Sequence, residues 1–79
     1  MIAIKNAYFY TNNKKVECKL EFYVLLNGTP ENRPRLAIGE ARCAPEDKFD
    51  FKVGMDLAYD RAYAKAVEVA VNRRCDLFA

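Results

Sequence analysis

From Lys15 to Leu26 the chain alternates between apolar and polar side chains. Val16, Cys18, Leu20, Phe22, Val24 and Leu26 hold one parity, and Lys15, Glu17, Lys19, Glu21, Tyr23 and Leu25 hold the other. A period of two over this length predicts a strand with one buried face. Ile2 to Tyr10 is rich in Ile, Tyr and Phe and predicts a second strand. Thr11-Asn12-Asn13-Lys14 between them is turn chemistry, because Asn tolerates left-handed backbone. The two strands are expected to pair antiparallel.

Asn27 to Pro34 is polar and carries two prolines, Pro30 and Pro34, which fits a loop rather than a helix or a regular strand. Arg35 to Ala44 resumes as a third strand whose pattern shifts partway. Leu36 and Ile38 share one parity, Ala41 and Cys43 the other, with Gly39 at the switch. A bulge at Gly39 or Glu40 would bring all four to one face. A regular strand would leave both faces half covered. Pro45-Glu46-Asp47 is expected to stop the strand, and Asp50 to cap a helix from about Phe51 to about Cys75. Asp47, Asp50 and Asp56 near its start, and Arg73 and Arg74 at its end, suit the helix dipole. The expected fold is α+β: a three-stranded antiparallel sheet with one long C-terminal helix packed on one face, in the order β-β-β-α, as a single domain over residues 1–79.

The predicted helix carries two apolar stripes. Phe51, Met55, Ala58, Ala62, Ala66 and Val69 form one, and its small residues let a helix lie close to a sheet. Val53, Leu57, Asp60, Ala64, Val67 and Val71 form the other, at the alternating four-and-three spacing of helix pairing. The stripes lie on nearly opposite sides. A single helix on a single sheet buries one of them, so the second is expected to meet a partner: a second copy of this chain, as a homodimer through the C-terminal helix, or another protein. Plain surface is the alternative, since scattered exposed Val and Ala are ordinary and Asp60 interrupts the seam.

Composition narrows the function. At 79 residues the chain is one domain with a modest core. Its 52% hydrophobic and 30% charged residues are those of a globular protein. A net charge of +2 and a pI near 8.5 fall short of the strongly basic balance of dedicated nucleic-acid domains. No run of residues is long and apolar enough to span a membrane. Met1 to Tyr10 lacks the basic lead and cleavage site of a secretion signal. Three widely spaced cysteines, Cys18, Cys43 and Cys75, suit a reducing compartment, so the cytoplasm is the expected location.

There is no histidine, which removes Ser-His-Asp and Cys-His catalysis and the usual zinc sets. Gly28, Gly39 and Gly54 are too far apart for a phosphate loop. Cys18 alternates with core residues, Cys43 is expected in the core, and Cys75 is the thiol expected to be exposed. Glu46, Asp47, Asp50, Asp56 and Asp60 cluster around the helix start, where acid-base work or cation binding competes with capping and solvation. The expectation is a protein-binding, non-enzymatic chain with no cofactor or metal. The alternative is nucleic-acid binding, with Tyr8, Tyr10 and Tyr23 as stacking faces among Lys14, Lys15, Lys19, Arg33, Arg35, Arg42, Arg73 and Arg74. Glutamates alternate with the lysines of the second strand and weaken that reading.

Gly39-Glu40-Ala41-Arg42-Cys43-Ala44-Pro45-Glu46-Asp47-Lys48-Phe49-Asp50, followed by Gly54, Ala58, Arg61 and Ala62, fits a pattern G-x-A-x-C-x-P-x-D-x-F-D with G, A and R-A at helical spacing. It resembles short phage and prophage proteins. It is also similar to a small actinobacterial family with a fold like the double-stranded-RNA-binding domain, three strands and a helix. The resemblance covers Gly39 to Ala62. It implies that fold and, with the small size, a phage-encoded inhibitor of a host or defence protein such as a CRISPR effector. It does not carry over RNA binding. RNA-binding members of that fold place a lysine cluster at the start of the C-terminal helix, where this chain has Asp47-Lys48-Phe49-Asp50-Phe51-Lys52, and the preceding helix has no counterpart.

Overall fold

The computed structural model describes residues 1–43, 48 and 50–78, with side chains described as far as Asn72. Four strands precede one helix: β1 (Ile2–Asn12), β2 (Lys15–Leu26), β3 (Thr29–Pro30), β4 (Arg35–Arg42) and α1 (Phe51–Phe78). The sheet is antiparallel, with β2 at its centre, β1 on one side, and β3 and β4 on the other. The helix crosses one face. This is the expected α+β architecture with one added element, the two-residue β3.

The hairpins follow from local chemistry. Asn12 pairs with Lys15, leaving Asn13 and Lys14 as a two-residue loop with φ of 48° and 62°. Leu26 pairs with Thr29 across Asn27 (φ 54°) and Gly28 (φ 79°). Positive φ at both loop positions is the type I′ turn, whose twist matches that of the flanking strands. The Asn-Gly pair is the sequence signal for β3, a segment expected to be loop. Pro30 is tolerated there because β3 is short and peripheral.

In β2, Val16, Cys18, Leu20, Phe22 and Val24 face the helix and are essentially inaccessible. They are the large side chains of the core. The helix supplies the small ones: Ala58, Ala62, Ala66 and Ala70 recur every fourth residue and are all buried, flanked by Met55, Tyr59 and Val69. Phe51, expected on this stripe, is exposed instead. The sheet ends at Lys15 and Arg42 and Gly54 already lies over Val16, so the first turn overhangs the sheet. Asp50 caps the helix as expected, its Oδ1 accepting from the Lys52 and Val53 amides at 3.0 and 3.3 Å. The helix runs on to Phe78, past the expected end near Cys75, and its last turn holds no basic residue.

Strand β4 is regular. Arg35 through Arg42 pair one for one with Phe22 through Lys15, and no bulge occurs at Gly39. Ala37, Gly39 and Ala41 therefore face the helix, while Leu36 and Ile38 are exposed on the opposite face. A bulge would have pushed the strand into the helix, which passes directly over Gly39. The bulge falls in β1 instead, at Lys5 between the Ile4–Phe22 and Asn6–Glu21 pairs. The expected strand stop at Pro45-Glu46-Asp47 lies outside the described residues, as do Ala44, Phe49 and the side chains of Arg73, Arg74 and Cys75.

Candidate functional site

With the alanine face of α1 on the sheet, the second stripe points away from it. Val53 (54%), Leu57 (44%), Val67 (40%) and Val71 (53%) are exposed, and Asp60 and Ala64 lie exposed between them. The row is about 27 Å long at 1.5 Å per residue. Apolar side chains thus stand on both sides of the helix, and among the described residues only one side has a layer over it.

Arg61 and Lys65 line one flank and do structural work there. Arg61 Nη1 donates to the Glu40 carbonyl at 2.6 Å, and Lys65 Nζ to the Ile38 carbonyl at 2.7 Å. Residues 38 and 40 point their backbone groups away from β2, because the Cys43 amide bonds Lys14 and pairing alternates from there. The two cations therefore cover the open edge of β4. Tyr59 and Tyr63 stack on the other flank at 6.2 Å between ring centres. At the N-terminal end of the stripe, Val53 and Leu57 border a groove of about 420 Å³ with Arg42, Cys43, Lys48 and Asp50.

The far face of the sheet has no layer over it among the described residues. Cross-strand rows there read Tyr8–Lys19–Ile38, Tyr10–Glu17–Glu40 and Asn6–Glu21–Leu36. Tyr8, Tyr10 and Tyr23 share this face, as the nucleic-acid reading requires. Charges of both signs are interleaved with them. Lys15 lies 3.0 Å from Glu40 and 3.8 Å from Glu17. Hydrogen bonding to Lys15 holds the Glu40 carboxyl below the usual carboxylate range. A hydrogen bond to Glu21, with burial second, raises the Tyr8 phenol above its ordinary value. Arg35 is bound at 2.8 Å by Glu31, which raises its pKa, and it lies on the helix side of the sheet, opposite Phe22. Among the described residues the cations are thus divided between faces and ends of the molecule rather than gathered.

Of the described cysteines, Cys18 and Cys43 form no disulfide. Cys18 is fully buried and its thiol is pushed up by desolvation, whereas Cys43 is only half-buried at the end of β4. Asp50 is spent on the helix cap, Asp56 and Asp60 are exposed, and Glu46 and Asp47 lie outside the described residues. Among the described residues no group of three or more His, Cys, Asp or Glu could hold a metal ion, and no helix is long and apolar enough to cross a membrane. Leu36 and Ile38 join the exposed apolar surface, as the regular-strand alternative for the parity change at Gly39 had it. No protein family, curated protein or solved structure matches this chain.

Proposed function

We propose that this chain is a protein-binding module that docks a partner on the outer face of α1. The observation that carries the reading is the exposed row Val53, Leu57, Val67 and Val71 on the side of the helix away from the sheet. Several apolar side chains in register gain more from a partner than from water, at about 25 cal/mol per Å² buried. Arg61 beside the stripe favours a different protein over a second copy. Antiparallel self-pairing of the stripe about its midpoint would set Arg61 near its own copy, at a like-charge cost that Glu68 on the same flank offsets only in part. A partner helix or strand with an apolar centre and a carboxylate border satisfies both the stripe and the flank. The finer reading, a phage-type inhibitor of a host or defence protein, is supported by the motif resemblance and the small size alone.

The test is a Leu57→Glu/Val67→Glu double variant. It should keep the circular dichroism and melting of the wild type, because neither side chain is in the core. Partners cross-linked and identified with the wild type should then be bound at least about tenfold more weakly, since a hot-spot truncation costs ~1.4 kcal/mol or more. Undiminished binding by a folded variant rejects the stripe. An unfolded variant shows that the stripe is part of the core.

Nucleic-acid binding is the second reading, favoured by Tyr8, Tyr10 and Tyr23 on the open sheet face. The interleaved Glu17, Glu21 and Glu40 oppose it. No oligonucleotide is expected to bind more tightly than about micromolar at physiological salt. A tighter, salt-sensitive complex makes this the leading function.

A further inference from the structure

The two edges of the sheet are treated differently. On β4 the outward carbonyls of Ile38 and Glu40 are occupied by Lys65 and Arg61. On β1 no described side chain hydrogen-bonds the outward backbone. The closing pair Asn12–Lys15 of the hairpin bonds within the sheet, so Asn6, Tyr8, Tyr10 and Asn12 face β2, and Ala7, Phe9 and Thr11 present their N–H and C=O outward. The helix leans toward β2 and β4, so the helix-side face of β1 is only partly covered: Ile2 and Phe9 pack against the core, while Ile4 is 43% exposed and Ala7 is exposed.

The segment Asn6-Ala7-Tyr8-Phe9-Tyr10-Thr11-Asn12 has no charge, no Gly and no Pro, and it is dense in strand-forming residues. Natural edge strands are blunted by charge, proline or cover. This one has a lysine only at the Lys5 bulge, outside the segment. We infer that β1 pairs antiparallel with β1 of a second copy, centred on Phe9. A centre at Phe9 places Ala7 opposite the partner's Thr11 and Tyr8 opposite the partner's Tyr10. The outward amides and carbonyls of Ala7, Phe9 and Thr11 then bond each other's copies. The tyrosines meet as aromatic cross-strand pairs on the open face. Phe9, half-buried against the core, meets its own copy on the helix side. The pairing joins the two sheets into one and leaves both helix stripes outside the interface. No like charges oppose each other within the segment, since none of its residues is charged; Lys5 and the partner's Lys14 come near each other only at its ends.

Sedimentation velocity on the full chain, across a concentration series, should show a closed dimer of twice the 9.1 kDa chain mass. Ala7→Lys/Thr11→Lys, both at exposed positions, sets lysine opposite lysine twice and should give a monomer with unchanged melting of the fold. Ala7→Lys/Thr11→Glu sets lysine opposite glutamate in the same register and should restore the dimer. Ala7→Pro removes one outward donor without touching the β2 ladder, and it should weaken association at least about tenfold. Leu57→Glu/Val67→Glu should stay dimeric, which separates this interface from the helix stripe. A wild type that remains monomeric, a dimer lost only in the helix variant, or growth into open-ended fibres overturns the inference. Failure of the Glu rescue alone overturns the register centred on Phe9.

Discussion

Gly39 lies directly beneath Ala62. A Cβ built at position 39 would come within 3.0 Å of the Ala62 Cα, and closer still to the Ala62 amide and the Ala58 carbonyl. These are backbone atoms that no rotamer change can move. Helix and sheet meet at this point because both have given up side chains. Gly39→Ala is therefore expected to cost about 3 kcal/mol or to displace the helix. Urea denaturation with far-UV circular dichroism measures it. A midpoint unchanged from the wild type would show that the helix does not rest on β4.

Gly28 makes the opposite kind of demand. Its φ is +79° and nothing lies within 4 Å of a Cβ placed there. Gly28→Ala meets only the backbone cost of left-handed geometry, about 1 kcal/mol. The denaturation midpoint should fall modestly, with no change in slope. A loss as large as that for Gly39→Ala would mean that the turn packs against something else.

Phe22 is wholly buried, while Leu36, in the register position across from Glu21, is 58% exposed. Phe22→Ala should cost about 3–5 kcal/mol. That is a large share of the roughly 5–15 kcal/mol holding a domain together, so the variant should be mostly unfolded at 37 °C. Leu36→Ala should stay within about 0.5 kcal/mol of wild type. Thermal melts of the two variants decide which sheet face is the core.

The Lys15–Glu40 contact at 3.0 Å has a pH signature. Glu40 has a folded pKa below its unfolded value, caused first by its hydrogen bond to Lys15. Its contribution is present above the unfolded pKa and is lost as pH falls through the folded one. Stability should therefore drop on acidification below about pH 5, and Glu40→Gln should show a shallower drop over the same window. Parallel slopes for the two proteins would show that the pair contributes nothing.

Cys18 is sealed in the core, with its thiol raised by burial. Reaction requires both exposure and thiolate. Iodoacetamide labelling of Cys18, followed by peptide mass spectrometry, should be at least roughly a hundredfold slower in buffer than in urea, because only global opening exposes it. Rapid native labelling would place Cys18 off the core face.

The sequence by itself determined β2, the helix and their facing surfaces. Alternation from Lys15 to Val24 leaves only one buried parity, and the fourfold-spaced alanines leave only one helix side that fits close to a sheet. The second stripe was legible for the same reason: its spacing sets it opposite the alanines. Tertiary structure decided what periodicity could not. The parity change in β4 fits both a bulge and a regular strand, and the choice fell to the helix passing over Gly39, a contact between residues far apart in the chain. Phe51 belongs to the alanine stripe by angle, but it is exposed because the sheet ends beneath it. The unequal edges were invisible as well. Which strand is central depends on pairing, and Arg61 and Lys65 cover β4 rather than water only because the helix leans to that side. Local pattern specifies the face an element buries; the length of its neighbour and the close approach of two backbones specify where that burial stops.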